Sequence, residues 1–499
     1  MSTGTKVFGC PGSGKTAYLL GVVEDILEKG TPSEKIGFFS FTRKAAYEAR
    51  DRAIRRFPKL DPKLGFPYFR TLHSLAFYCL GISPKDMMTA ENYREFALEA
   101  QINLGLYAEE EEFMVHADNP ILNEINLARI KGLDLHTHYN QSRLQIEWFH
   151  FEFVERTYRH YKATRNLLDF TDLLEMIVLR HDDLPYLDTV FIDEAQDLSR
   201  LQWNLVRLLF KKCNYYYLAG DDEQAIFNWA GADVQSFLDF PAEIKLLEHS
   251  HRVPAKVHAL ATLISSRIRV KQEKKWTPRE EEGSLHYHNH FQYVDVTEGE
   301  WLILASTNYL LNDLHEWLKS QGLLFERRGQ RSIPEKILEA VVGWERLRAG
   351  KEVNYQTVKL VYSHLDSFAV KRGHRTLLHV NQDAMYDMAT LREKHGLLTD
   401  AIWHEALTKI DESKRNYLVA ILRRGGKLSA PQIKLSTIHG AKGGEADNVM
   451  LLMDLSPRFA MEYSINSDNI NRLFYVGITR AKQSLHLIRP KDLTKGFQT

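Results

Sequence analysis

"TKVFGCPGSGKT", residues 5–16, decides the fold. A short apolar run leads into a glycine-rich loop, and "AYLLGVVEDILEKG" follows, with Leu19, Leu20, Val23, Ile26 and Leu27 on one helical face. The loop fits G-x-x-x-x-G-K-[ST] in full. Gly9, Gly12 and Gly14 leave the backbone free to wrap phosphates with its N–H groups, and the helix start adds its positive end. The loop from Gly9 through Cys10, Pro11, Gly12, Ser13 and Gly14 is the candidate nucleotide cradle. Lys15 would hold the β- and γ-phosphates, and the Thr16 hydroxyl would ligate Mg²⁺. The bland alternative, a chance turn, does not account for strand, loop and helix arriving together.

Outward from this stretch, strand and helix keep alternating. "IGFFSFT" (36–42) precedes "RKAAYEARDRAIRRF", and strands read again at "YLDTVFIDEAQD" (186–197) and "CNYYYLAGDDEQ" (213–224). This alternation implies a parallel sheet covered on both faces. From 86 to 165 the text is rich in Glu, His, Tyr and Asn and reads as helices. "WLILAST" (301–307) opens a second α/β unit, to which "IKLSTIHG", "DNVMLLMDL" and "QSLHLIRP" return after a second helical stretch. The expected class is α/β, with two parallel-sheet cores, each interrupted by a mostly helical insertion. The first core takes residues 1–85 and 166–250 around an insertion at 86–165. The second takes 251–334 and 431–499 around an insertion at 335–430.

"VFIDEAQD" (190–197) ends a buried strand on two acids. Asp193 would hold Mg²⁺, and Glu194 would orient and deprotonate an attacking water; the metal offsets their repulsion. The alternative is a helix start that favours acids. "LAGDDEQAIFNWAGAD" (218–233) sets Gln224 close to Phe227 and Trp229. Rings beside a loop can stack on bases without regard to sequence, whereas the competing reading has both in the core.

Composition sets limits. The 499 residues carry 65 Lys and Arg against 65 Asp and Glu, so any nucleic-acid surface must be local rather than a general positive coat. Three scattered cysteines, Cys10, Cys79 and Cys213, make neither a disulfide scaffold nor a metal spacing and fit a reducing compartment. A cytoplasmic location is expected, since no room for a signal peptide precedes the loop and no apolar run of about 18 residues appears. The basic "RVKQEKKW" (269–276) reads equally as a DNA contact or a solvated linker.

Across nearly its whole length the chain resembles the superfamily 1 DNA helicases of the UvrD/Rep/PcrA type, as a compact member with a short second insertion. "DEAQD" is similar to that group's second Walker element. "FFSFTRKAAYEAR" (38–50) resembles its Ia segment, "TLHSLAFYCL" (71–80) its Ib segment, and "LLDFTDLL" (167–174) the return from the first insertion. "LEHSHRVP" (247–254), "STIHGAKGGEADNVMLL" (436–452) and "NRLFYVGITRAK" (471–482) resemble motifs IV, V and VI.

The resemblance implies two RecA-like P-loop cores and an ATP- and Mg²⁺-dependent helicase moving 3′ to 5′ on single-stranded DNA. Single-stranded DNA and single/double-strand junctions would be its partners, with replication or repair proteins, and the chain would act as a monomer. Gln224 would sense the γ-phosphate. Arg252 and Arg480 would reach it from the second core, Glu445 would bind the ribose, and His251 would stack on the base in place of a tyrosine. Thr42, Arg43, Lys44, Thr71, His73, Phe227, Trp229 and His439 would line the strand track. Only eight residues precede Gly9, so the family's adenine-reading glutamine segment is missing or replaced and relaxed base selectivity is expected. Ala230, Ser306 and Ile470 also depart from the family pattern, which bears on coupling rather than hydrolysis. A second reading stays open, an ATP-switched DNA-binding or protein-displacing translocase without substantial unwinding.

Overall fold

The computed structural model describes residues 2–40, 43–56, 65–108, 115–142, 144–374, 377, 381–424 and 431–499. The chain forms two compact units, Met1–Glu282 with Tyr463–Thr479 and Gly283–Glu462 with Arg480–Thr499. The first unit thus takes in 251–282 and 463–479, two segments that the sequence division assigns to the second core.

In the first unit six strands pair entirely in parallel. Their order is Phe69–Arg70, Ile36–Ser40, Leu187–Asp193, Cys213–Gly220, Thr3–Gly9 and Glu243–Leu247. Neighbouring residues along each central strand enter different cores. Val7, Phe38, Phe191 and Ala219 face one cluster, whereas Phe8, Phe39, Ile192 and Leu218 face the other. Period-two alternation with both faces apolar is what burial on two sides demands. Leu19, Leu20 and Val23 of the helix Lys15–Glu28 close one side, as the helical spacing predicts. Each such buried side chain contributes about 1.5–3 kcal/mol.

The insertion builds its own core from Ala90–Glu99, Pro120–Lys131, Leu135–Gln141 and Trp148–Arg165, with Phe96, Ile125, Phe151 and Tyr161 inside. It also contains an antiparallel pair, Gly105–Ala108 with Val115–Asp118, which the helical reading did not anticipate. Four-residue strands held by backbone bonds are too short to show an alternating pattern. The insertion is clamped to the core through buried ion pairs. Asp169 receives Arg129 Nη1 at 2.8 Å, Lys162 Nζ at 2.5 Å and the Tyr158 hydroxyl at 2.8 Å. Burial alone would raise the Asp169 carboxyl, but Arg129 and then Lys162 hold it well below the usual carboxylate range. "LLDFTDLL" is therefore a structural joint: Asp169 caps the helix Phe170–Leu179 and anchors two insertion helices.

The second unit has a seven-stranded sheet ordered Gln330–Arg331, Phe325–Arg327, Ile433–Thr437, Trp301–Ala305, Ala446–Leu452, Ala481–Ile488 and Ser284–His288. All pairings are parallel except that of the two strands at the first edge. Its insertion does not form a separate core. Trp344, Val358, Val361 and Leu418 share one cluster with Ile303, Leu435 and Met450 of the sheet. Among the described residues no helix is long and apolar enough to cross a membrane.

Candidate active site

Parallel register brings the first unit's chemistry to one sheet edge. Phe8 pairs with Gly220, and Ile192 with Leu218, so the strands ending at Gly9, Asp193 and Gly220 finish side by side. The crevice beyond the carboxyl ends of such strands is where this architecture places ligands.

The glycine-rich loop is shaped by its residues. Gly12 and Gly14 have φ of 74° and 78°, a region that β-carbon-bearing residues disfavour. A β-carbon on Gly9 would lie 2.3 Å from Ser13 Oγ, and one on Gly12 would lie 2.4 Å from Cβ of Arg252. Lys15 is nearly buried and turns its ammonium back onto the loop, donating to the carbonyls of Gly9 at 3.0 Å and Cys10 at 3.4 Å. Ser13 Oγ is buried and has no hydrogen-bond partner. A buried hydroxyl with no partner among the described residues, beside an ammonium that donates to loop carbonyls, fits a loop that binds anionic oxygens. Cys10 is apolar filling here, its thiol pushed up to about 12 by burial.

Thr16 Oγ1 donates to Asp193 Oδ2 at 2.7 Å. Burial, then the neighbouring Glu194, push the Asp193 carboxyl up to about 6, and the Thr16 bond opposes them. A bound divalent cation would relieve that cost, so the hydroxyl–carboxylate pair fits Mg²⁺. Among the described residues no group of three or more His, Cys, Asp or Glu gathers to hold a metal alone. Glu194 adopts φ of 56°, a left-handed backbone that turns the chain sharply after the strand. Its Oε2 receives Gln196 Nε2 at 2.5 Å, while Gln196 Oε1 accepts the Asp221 N–H at 3.0 Å. Gln196, fully buried, thus ties the second acid to the start of the Asp221–Gln224 turn.

Gln224 Nε2 donates to Asp221 Oδ2 at 2.7 Å. Three residues on, the rings turn outward. Trp229 is 61% exposed, which excludes the core reading, and half-buried Phe227 meets it edge-on at 6.4 Å.

The segment 249–253 is built onto the glycine-rich loop. The Ser250 hydroxyl donates to the Pro11 carbonyl at 2.6 Å and accepts the N–H groups of Arg252 and Val253. The His251 N–H donates to the Gly12 carbonyl at 3.0 Å. Arg252 therefore belongs to the first unit, whereas the resemblance implied the second core. Ser250 is missed by sequence reasoning, because a serine between two histidines has no pattern that singles it out.

Other expected residues lie elsewhere. Arg480, Glu445 and His439 are in the second unit. Arg480 is 1% exposed and donates from Nη1 to the Gly444 carbonyl at 3.2 Å, next to exposed Glu445. His439 packs beside the Phe459 ring. Thr71 is buried and caps the helix Leu72–Cys79 by accepting the Ser74 N–H at 3.2 Å, so its hydroxyl serves the fold. His73 lies edge-on to Phe170, and burial pushes it down to about 4, so it stays a neutral ring. Thr42 lies outside the described residues; Arg43 and Lys44 open the helix Arg43–Arg56.

Within the basic run 269–276, Lys274 and Trp276 are tied into the fold, while Arg269 and Lys275 are exposed. Lys274 is 4% exposed and meets Asp221 at 2.9 Å and Asp222 at 2.7 Å. Trp276 packs edge-on against His258 at 4.3 Å.

Comparison with known proteins agrees with this geometry. A UvrD/REP helicase N-terminal domain model matches residues 1–245, and a UvrD-like helicase C-terminal domain model matches residues 365–491, together about three quarters of the chain. The chain is 27% identical over 292 residues to the ATP-dependent DNA helicase Rep of Buchnera aphidicola (subsp. Acyrthosiphon pisum), covering 53% of this chain and 43% of that protein. It is 25% identical over 380 residues to the ATP-dependent DNA helicase PcrA of Bacillus subtilis, covering 71% and 50%. It is 24% identical over 526 residues to a probable DNA helicase of Mycoplasma pneumoniae, covering 97% and 80%. The chain spans about half the length of the Rep and PcrA relatives it matches. From these two domain matches, the chain belongs to the UvrD/REP helicase family.

Proposed function

We propose that the chain is an ATP-dependent motor that moves 3′ to 5′ on single-stranded DNA and unwinds duplex, with Mg²⁺ as cofactor. The carrying observation is one sheet edge that holds the glycine-rich loop, the Thr16–Asp193 pair, Glu194 and Gln224, with exposed Trp229 five residues beyond Gln224. Bound Mg²⁺–ATP supplies the phosphoanhydride bond and the charge that drives the cycle. Lys15 and the loop N–H groups hold the phosphate oxygens, and Thr16 and Asp193 hold the cation. Glu194, steadied by Gln196 at Oε2, orients the attacking water and accepts its proton. Gln224 senses the terminal phosphate, and Trp229 and Phe227 stack on bases.

Arg252, anchored beside Gly12, contacts the phosphates from within the first unit. His251 stacks on the base. Arg43 and Lys44 contact the strand. The chain works as a cytoplasmic monomer at single/double-strand junctions, alongside replication or repair proteins. Strand displacement on matched 3′-tailed and 5′-tailed duplexes tests this: ATP-dependent opening of the 3′-tailed duplex alone is expected. Displacement of a bound protein without any duplex opening would favour the switch reading instead.

A further inference from the structure

A single buried ammonium organises the acids around Gln224. Lys274 Nζ lies 2.9 Å from Asp221 Oδ1, 2.7 Å from Asp222 Oδ1 and 3.3 Å from Glu223 Oε2. All three acids are buried, at 0–2% exposure. Lys271 adds a second cation 3.5 Å from Glu223, and the Arg472 guanidinium holds the Asp222 carbonyl at 3.0 Å. Leaving these carboxylates without a partner would be strongly unfavourable, so Lys274 is the group that makes the turn possible in ionised form.

The ionisation state of Asp221 has a chemical consequence. An ionised carboxylate only accepts hydrogen bonds, so the group that Gln224 presents to Oδ2 must be its amide nitrogen. That turns the amide's carbonyl oxygen away from Asp221. A protonated or amidated residue 221 could donate, and its bond to Gln224 could then form through either end of the amide. Burial alone would raise Asp221, but Lys274 and then Lys15 hold it below the ordinary carboxylate value. The Asp221 backbone N–H also fixes Gln196, whose nitrogen holds Glu194.

We propose that Lys274 is a positioning residue for hydrolysis. By keeping Asp221 ionised and in place, it fixes the orientation of the Gln224 amide so that its carbonyl oxygen, not its nitrogen, is offered to the attacking water. This rests on the reading of the site as an ATPase. Lys274 acts through Asp221 on Gln224.

The test is a double-mutant cycle on the full chain, measuring steady-state turnover of Mg²⁺–ATP, affinity for a slowly hydrolysed ATP analogue, and thermal unfolding. Lys274→Met keeps the stem and removes the charge. It is expected to lower kcat roughly 10- to 100-fold, the scale of a misplaced reacting group, with analogue affinity changed less than about threefold. In a Gln224→Ala background the same substitution is expected to cost nothing further, because the amide it orients is gone. An equal loss in both backgrounds, or a wild-type kcat, would overturn the proposal. Asp221→Asn asks the same question without emptying the lysine's place, and serves if Lys274→Met does not fold. A wild-type chain without any ATP turnover would overturn the underlying reading, and the inference with it.

Discussion

Thr16 Oγ1 donates to Asp193 Oδ2 across 2.7 Å, bonding the helix after the glycine-rich loop to the end of a strand 177 residues later. The pair marks where a cation would sit, and Lys15 beside it marks where phosphate charge would be met. Lys15→Ala should therefore abolish ATP hydrolysis while the fold survives, since among the described residues the ammonium donates to the loop carbonyls of Gly9 and Cys10 and to no side chain. Phosphate release together with circular dichroism checks this. Hydrolysis within about tenfold of wild type would mean that Lys15 does not carry the phosphate charge.

Glu194→Gln should bind ATP and hold single-stranded DNA tightly while turning over at least about 100-fold more slowly, because the amide cannot accept the water's proton. The left-handed backbone at this position is set by the chain and not by the charge, so stability should change little. Single-turnover hydrolysis is the measurement. Turnover within several-fold of wild type would remove Glu194 from the role of base.

Trp229→Ala should lose roughly 1–3 kcal/mol of single-strand affinity, the worth of one stacked base. At 61% exposure the ring contributes little to the core, so the unfolding temperature should stay within a few degrees. Fluorescence anisotropy with a labelled oligonucleotide reads the first quantity and thermal unfolding the second. A large loss of stability with unchanged affinity would reverse the assignment.

Asp169 gives a pH dependence with a definite sign. Its folded carboxyl is held below the unfolded value of about 4, so its stabilisation is fully present above that value and is lost as pH falls through and below it. Asp169→Ala should cost about 3–5 kcal/mol at neutral pH, the usual result of removing one partner of a buried ion pair. It should also flatten the acid limb of stability. Urea midpoints from pH 7 down to pH 3 test both; an acid limb identical to wild type would assign the acid sensitivity elsewhere.

The parts of the fold that were legible in the sequence are those written in local periodicity. The loop 9–16, the helix behind it and the apolar run ending at Asp193 each announce themselves within about a dozen residues. What stayed hidden depends on partners far along the chain. Ser250 meets Pro11 across 239 residues. Lys274 meets Asp222 across 52, and in the text it is one lysine of a basic run that looks solvated. The antiparallel pair of Gly105–Ala108 with Val115–Asp118 is carried by backbone pairing, which leaves little trace in side-chain pattern. The assignment of 251–282 to the first unit follows from Ser250 and His251 bonding to the glycine-rich loop, contacts that no spacing rule reports.

On the proposed function, ATP hydrolysis at the sheet edge is joined to a single-stranded DNA track through the short span from Gln224 to Trp229. Steady-state phosphate release from the full chain, measured with Mg²⁺–ATP over a range of single-stranded oligonucleotide concentrations, tests it most directly. A low basal rate that rises at least about tenfold and saturates with the oligonucleotide is expected. Equal rates with and without DNA across the whole range would contradict it.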